Sequence, residues 1–254
     1  LDVQAQALKA ARTEACLNVR VRGTWDDDTL DRSLWCLDER RMELEALLGE
    51  LSRGDASAVN WAVEAAAGLS QVRPCQDPAR LASLPPLPHD RERVRQLLRD
   101  DARVLALRMA GRYEDGLRES LATLAAAEAL QWPPLTARVR RRSGYLLHLV
   151  GKYPEAEAAL ESAYFEATAA GALDVAADAA TGLIQIVGYQ QARHLDGIRW
   201  SRHVDLALAV LDAGDETSSR RADARNLLAQ VHDDMGDYPQ AVALHERSLA
   251  IREQ

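Results

Sequence analysis

Apolar residues recur at helical spacing on both sides of Gly151. The apolar positions before it are Leu135, Val139, Leu146, Leu147 and Val150, and those after it are Ala156, Ala159, Leu160, Ala163 and Ala167. Steps of three and four residues place such side chains on one face of an α-helix. The same pattern surrounds Gly236, with Leu227, Leu228 and Val231 before it and Ala241, Leu244 and Ile251 after it. Each glycine is therefore predicted to join two amphipathic helices.

The first third of the chain also has helical patterning, in segments separated by short breaks that contain glycine. The predicted helices cover Ala5–Val21, Thr29–Leu51 and Ala56–Leu69. Five of the nine prolines then fall between residues 73 and 90, which predicts a connector. The resulting organisation is a helical N-terminal region (1–72), a Pro-rich connector (73–90) and a repeat region (91–254).

Three segments of the repeat region align around a glycine and a tyrosine. They are Ala110–Gly116, Val150–Ala156 and Met235–Ala241. Each has a Gly, a polar residue, a Tyr, two further residues and then Gly or Ala. The first two glycines are 40 residues apart and the next gap is 85, about twice as long. A degenerate copy is therefore expected in between, and Val187–Trp200 fits it.

The repeated residues have a clear structural logic. Gly ends the first helix because a left-handed backbone costs it least, and Pro154 and Pro239 fit the first turn of the next helix. The Ala or Gly three residues after the Tyr lets the two helices approach closely, and the Tyr ring is expected to cover the junction between them. The structural signature comprises Gly111, Tyr113, Gly151, Tyr153, Ala156, Gly188, Gly236, Tyr238 and Ala241. About four such helix pairs predict an all-α, right-handed solenoid of helical hairpins.

Composition and charge agree with a helical, folded protein and narrow the partners. Aromatic residues make up 5% of the chain, and Ala and Leu dominate its apolar residues. The net charge is −8, so a nucleic-acid ligand is not expected. No apolar run is long enough for direct membrane insertion, and no signal peptide is visible. Because the chain starts at Leu1, it is expected to be a fragment or a processed form, and its location stays open.

The three cysteines leave two thiol states open. Their spacing matches no zinc motif. Cys16 and Cys36 flank the first helical turn and are the candidate disulfide of an exported fragment, with Cys75 unpaired. The alternative is that Cys16 and Cys36 are packed thiols, since free cysteine is commonly buried.

The Gly-x-Tyr-x-x-Ala turn resembles the tetratricopeptide repeat (TPR) family. The family consensus also has Leu-Gly upstream of the Tyr, and Ser143-Gly144 and Leu228-Ala229 match it in part. The period of about 40 to 44 residues resembles the longer-helix repeats of kinesin light chains. The resemblance covers residues 89–254 and implies a non-catalytic module that binds proteins or peptides.

A second resemblance covers nearly the whole chain. The segments Glu14–Cys16, Arg20–Gly23, Cys36–Arg41, Val187–Tyr189 and Arg199–His203 resemble the C-terminal TPR region of serine/threonine protein kinases typical of myxobacteria. The resemblance implies a sensing or docking region that follows a kinase domain and often a membrane-spanning helix, which would put the repeats outside the cytoplasmic membrane. The alternatives are the sensor arm of a TPR-bearing transcription regulator and a stand-alone scaffold or chaperone-like binder.

In TPR proteins the first helices of the hairpins line a concave groove, and the register of this sequence assigns residues to it. The candidate groove residues are Arg138, Arg141, Arg142, Tyr145, His148, Asn226, Gln230 and Asp233, with Asp223 beside them. Arginine binds carboxylates through two hydrogen bonds, so a peptide C-terminus or an acidic segment is the expected ligand. A second copy of the chain is another candidate partner. The competing interpretation of the arginine cluster is a solvated helix face.

No residue pattern predicts catalysis, a metal or a cofactor. The chain lacks a Gly-rich loop, a His-Arg-Asp loop and an Asp-Phe-Gly segment, so it carries no kinase machinery. His232–Asp234 is better explained as a helix end with solvated acids than as a metal site. Asp26–Asp28 are expected to cap a helix. An unrecognised helical hydrolase or transferase site is the enzymatic alternative.

Overall fold

The computed structural model describes residues 1–53, 62–63, 65–211 and 218–253, and the chain forms two compact units that divide after Leu130. The elements of the first unit are α1 (Asp2–Arg20), α2 (Asp27–Leu51), a 3-10 turn (Arg73–Gln76), α3 (Pro78–Ser83), α4 (Arg91–Met109) and α5 (Tyr113–Leu130). Those of the second are α6 (Pro133–Leu149), α7 (Tyr153–Ala169), α8 (Leu173–Leu183), a π-helix (Ile184–Gln190), α9 (His194–Leu211), α10 (Ser219–Asp234) and α11 (Tyr238–Arg252).

The predicted all-α class is confirmed, since the described residues contain helices and no β-strand. In the second unit each helix packs against the next one along the chain, which is the arrangement of a TPR-like solenoid. Half of the helix predicted over 56–69 lies outside the described residues, and residues 62–63 and 65–67 are helical. None of the described helices is both long and apolar enough to cross a membrane.

The tyrosine motif marks one and the same turn in three places. Gly111, Gly151 and Gly236 have φ angles of 73°, 79° and 78°, in the left-handed region. The N–H of each following residue bonds to the carbonyl five positions earlier, as in the pair Lys152–Leu147 at 2.9 Å. This is the Schellman ending of a helix. Because a Tyr is the first residue of the helix that follows each turn, Tyr113, Tyr153 and Tyr238 occupy equivalent places.

A fourth turn of this type occurs at a site without tyrosine. Gly171 has a φ of 71°, and the N–H of Ala172 bonds to the Ala167 carbonyl at 2.8 Å. Leu173 stands where the other turns have Tyr, and Ala176 is buried where they have Ala or Gly. The turn joins α7 to α8 and so continues the solenoid between hairpins.

Gly188 has a different role from the one predicted. It does not end a helix; it lies inside the π-helix, where a Cβ would meet Val231 Cγ2 at 2.8 Å. The turn comes later, at Ala192, which has a φ of 53°, and the Arg193 N–H bonds to the Val187 carbonyl six positions back. The turn of the degenerate repeat is therefore one residue longer than the other turns because of the π-helix. As a result, Gly188 does not occupy the left-handed position that the sequence pattern assigned to it.

The predicted pairing of Cys16 with Cys36 is wrong, as is the unpaired state expected for Cys75. Cys36 forms its disulfide with Cys75, and the Cys16 thiol on α1 is exposed. The 3-10 turn places Cys75 against α2, where its carbonyl accepts a 2.7 Å hydrogen bond from Ser33 Oγ. The two Cα atoms are 5.5 Å apart, within the range that a disulfide spans.

The proline-rich segment is packed into the first unit. Cys75 and Leu81 are fully buried with residues of α1 and α2. The Arg32 guanidinium donates to the carbonyls of Leu84 and Pro85 at 3.0 and 3.4 Å. Helix α4 also packs on α2, so the first unit holds the segment assigned as a connector and the first predicted hairpin.

Capping explains where α2 and α4 begin. The Asp26 side chain accepts a 2.8 Å hydrogen bond from the Thr29 N–H, and the Asp90 side chain accepts one from the Arg93 N–H at 3.1 Å. The hydrogen bonds from Thr29 lower the pKa of Asp26 because they favour its charged form. The capping role predicted for the aspartates before α2 is confirmed at Asp26.

Candidate partner-binding cleft

A cleft of about 310 Å³, lined mostly by polar and charged residues, lies in the second unit along the first helices of three consecutive hairpins. Helix α6 contributes Arg141 and Tyr145, helix α8 contributes Asp178, and the π-helix contributes Gln185. The other lining residues, which include those of α10 and α11, are Thr181, Gly182, Arg220, Asp223, Asn226, Leu227 and Arg252. The cleft thus joins residues more than one hundred positions apart in the sequence.

Two glycines hold α6 and α8 side by side behind the cleft. A Cβ on Gly144 would lie 2.9 Å from Leu160 Cγ, and one on Gly182 would lie 2.8 Å from Leu160 Cδ1. Leu160 belongs to α7 and is fully buried. Helices α6 and α8 therefore both pack against the Leu160 side chain. A larger residue in place of either glycine would push its helix away from α7, so these contacts fix the spacing of the two helices.

Two ion pairs organise the charged side chains of the cleft. Arg220 Nε donates to Asp178 Oδ1 at 2.7 Å, which links α10 to α8. Arg252 Nη2 donates to Asp223 Oδ1 at 2.8 Å, which links α11 to α10. With Arg141, the cleft has three guanidinium groups and two carboxylates, so its lining carries an excess of positive charge.

The two carboxylates have pKa values shifted in opposite directions. Burial by itself raises the pKa of Asp178, but the positive charges of Arg220, Arg141 and Arg142 outweigh it, and the pKa lies below its usual value. For Asp223, burial raises the pKa and the negative charge of Asp178 raises it further. The charges of Arg252 and Arg220 oppose that rise without cancelling it. Asp178 is therefore the more firmly charged of the two.

The predicted groove residues divide into two groups. Arg141, Tyr145 and Asn226 line the cleft, as does Asp223. The residues that do not line it are Arg138, Arg142, His148, Gln230 and Asp233. Arg142 is buried and acts on the cleft through its charge.

His148 is part of the packing between helices. Its ring lies 5.8 Å from the Tyr145 ring and 5.7 Å from the Tyr153 ring, measured between centroids. Burial lowers the pKa of His148 because it disfavours the charged imidazolium. The residue therefore supports Tyr145 from behind.

Several cleft residues were missed from the sequence, namely Asp178, Thr181, Gln185, Arg220 and Arg252. Asp178 and Thr181 lie on α8, whose turn lacks the Tyr used to set the register. A signal was present, because Gly171-x-Leu173-x-x-Ala176 has the same spacing as Gly151-x-Tyr153-x-x-Ala156. Accepting Leu in place of Tyr would have identified this turn and set the register of α8. Arg252 lies on a second helix, which the groove assignment did not consider.

Two residues of His232–Asp234, the segment considered as a weak metal site, are engaged in separate pairs. His232 Nδ1 lies 3.1 Å from Asp237 Oδ2, and His194 Nε2 lies 2.7 Å from Asp234 Oδ2. Among the described residues, no group of three or more His, Cys, Asp or Glu side chains is arranged to hold a metal ion.

Residues 221–254, which include most of α10 and all of α11, match the tetratricopeptide repeat family. The matched segment contains the turn at Gly236, with Tyr238 and Ala241. No curated protein matches the chain. A repeat of this type indicates a module for protein–protein interaction, and all-helical repeat folds of this type are typically non-catalytic.

Proposed function

We propose that this chain is a non-catalytic interaction module whose second unit binds a protein or peptide ligand through an acidic segment or a C-terminal carboxylate. The observation that carries the proposal is the convergence of Arg141, Arg220 and Arg252 on one cleft, which is lined by successive first helices and by α11. An arginine guanidinium recognises a carboxylate through two parallel hydrogen bonds. The cleft therefore selects ligands by charge and by the planar shape of the carboxylate.

The neutral lining of the cleft suits the backbone of an extended peptide. Gln185 and Asn226 each carry an amide that both donates and accepts hydrogen bonds, and Tyr145 adds a hydroxyl group. Leu227 supplies an apolar contact. A carboxylate on the ligand would meet the arginines while these groups bind the adjacent peptide units.

The two internal ion pairs set the selectivity. An acidic ligand competes with Asp178 for Arg220 and with Asp223 for Arg252, so a single weak carboxylate gains little. A ligand with two or more closely spaced carboxylates, such as a C-terminal carboxylate beside an Asp or Glu side chain, gains more, because it replaces both internal partners together. Ligands without negative charge are expected to bind weakly.

The module is proposed to serve a serine/threonine protein kinase as its docking region. This part rests on the resemblance of Glu14–Cys16, Cys36–Arg41 and Arg199–His203 to the C-terminal region of such kinases. The test is the coding sequence upstream of Leu1, where an in-frame kinase domain is expected. A DNA-binding or ATPase domain there would instead identify the arm of a transcription regulator.

A peptide array tests the binding proposal. Labelled peptides that differ in the number of Asp and Glu residues, and in a free or amidated C-terminus, are titrated with the protein. Affinity is expected to rise with acidic content and to fall about tenfold or more in Arg141→Glu and Arg252→Glu. Arg247→Glu, on the exposed surface of α11 away from the cleft, is the matched control. Equal binding of neutral and acidic peptides, or unchanged affinity in both cleft variants, would refute the proposal.

A further inference from the structure

Helix α9 presents large apolar side chains to solvent along one ridge. Leu195, Leu206 and Val210 have 65%, 66% and 64% of their surface exposed. Arg199 and Arg202 lie between them, also exposed. The steps of three and four residues place all five on one face of the helix, opposite the face that packs in the core. We call this set the basic ridge.

Helix α11 carries a second ridge of opposite charge. Tyr238, Val242 and Leu249 are 63%, 55% and 55% exposed. Glu246 lies between them on the same face, and Glu253 follows at the end of the helix, both exposed. We call this set the acidic ridge. Large apolar side chains grouped on one exposed face mark an interaction surface more often than scattered ones do.

The spacing of the two ridges matches when the helices run in opposite directions. From Val210 back to Leu195 the steps are four, four, three and four residues, and from Tyr238 forward to Glu253 they are the same. Antiparallel pairing therefore sets Leu206 against Val242 and Arg202 against Glu246 along the same line. Apolar residues then meet apolar residues in the first half of the contact, and a cation meets an anion at its centre. In the second half each apolar residue, Leu249 and Leu195, lies against a charged one.

We propose that the basic ridge of one molecule binds the acidic ridge of a second copy of this chain, with α9 and α11 antiparallel. Both ridges are exposed in the same molecule, so the contact has to form between molecules. Arg199 pairs with Asp196 of its own helix at 2.7 Å, whereas neither Arg202 nor Glu246 forms an ion pair within the described part of the chain. Their charges are thus available to each other, and complementary charge fixes the register and orientation of the contact.

Charge exchange tests the pairing directly. Sedimentation velocity over a range of concentrations is expected to show self-association of the wild-type chain. Arg202→Glu and Glu246→Arg should each weaken it by about tenfold or more, and the double variant should restore it, because the ion pair is rebuilt in reverse. Both substitutions lie at exposed positions, and circular dichroism verifies that each variant folds. Arg247→Glu, on α11 outside the ridge, should leave association unchanged.

Four outcomes would overturn the proposal. If the chain is monomeric at every concentration, the contact does not form. If neither single variant weakens the self-association, the molecules associate through another surface. Failure of the double variant to restore association would show that Arg202 and Glu246 do not face each other. Heterologous binding of a different helical protein to α11, with no self-association, would assign the acidic ridge to another partner.

Discussion

A Cβ on Gly197 would overlap the Cα of Gly188. The two glycines bring the start of α9 against the π-helix with direct backbone contact, at a distance that no side chain would allow. The same site receives Val231 of α10, whose Cγ2 lies 2.8 Å from the Cβ position of Gly188. The degenerate repeat thus packs through paired glycines where the other repeats use an alanine or a single glycine.

Gly197→Ala is expected to destabilise the protein by about 1–3 kcal/mol, because the added methyl meets backbone that cannot rotate away. Gly49→Ala is the control: Gly49 is exposed inside α2, and a Cβ there has no atom within 4 Å. That change should stabilise the protein by about 0.5–1 kcal/mol through higher helix propensity. Urea unfolding followed by circular dichroism measures both. Equal effects of the two substitutions would contradict the close packing.

Ala192→Gly is expected to raise stability by up to about 1 kcal/mol. Ala192 has a φ of 53°, which glycine adopts without the steric cost that a Cβ incurs. The gain is reduced by the greater backbone freedom of glycine in the unfolded chain. A thermal melt of the variant gives the sign. A lower melting temperature would show that the steric cost of the Cβ at this φ is smaller than the entropic cost of glycine.

The turns could be predicted from the sequence where the Gly-x-Tyr-x-x-Ala pattern is complete or nearly so. Gly151 has the left-handed backbone and Ala156 the burial expected of them, since the turn itself needs both. Tyr238 was expected to cover its turn in the same way, but it is 63% exposed. Gly188 was misassigned because an extra residue in a helix leaves no mark in hydrophobic spacing. The partner of Cys36 depended on long-range packing of the proline-rich segment, which spacing does not reveal.

The cleft shows the same division. Arg141, Tyr145 and Asn226 could be placed from the register of their own helices, whereas Asp178 required a turn with Leu173 in place of Tyr. His148 satisfied the spacing of a groove residue, but its ring is buried between Tyr145 and Tyr153. Hydrophobic periodicity identifies which residues share a helix face. How many of those residues remain exposed depends on the packing of the neighbouring helix.

Loss of the Cys36–Cys75 disulfide should lower stability by about 4 kcal/mol, the loop-closure value for a sequence separation of 39 residues. Cys36→Ser and Cys75→Ser should each show this loss, and Cys16→Ser should not, because Cys16 is a free, exposed thiol. Peptide mapping under oxidising, non-reducing conditions identifies the linked pair. A peptide joining Cys16 to Cys36 would contradict the structure.

The Asp178–Arg220 pair predicts a defined pH dependence. Asp178 has a lowered pKa in the folded state, so its stabilising effect is complete above the unfolded value of about 3.9 and is lost as the pH falls below it. Asp178→Asn should therefore cost roughly 1.5–3 kcal/mol at pH 7, the usual range for a hydrogen bond to a charged group. The difference from wild type should shrink below about pH 4. A difference that is constant with pH would mean that the carboxylate charge contributes nothing.

The most direct test of the central claim is an NMR titration with the tightest acidic peptide from the array, following backbone amides and arginine side chains. The largest shifts are predicted for Arg141, Arg220 and Arg252 and for the amides of α6, α8 and α10 around them. Shifts confined to other surfaces of the protein, with these three arginines unchanged at saturation, would contradict the claim that the cleft is the binding site.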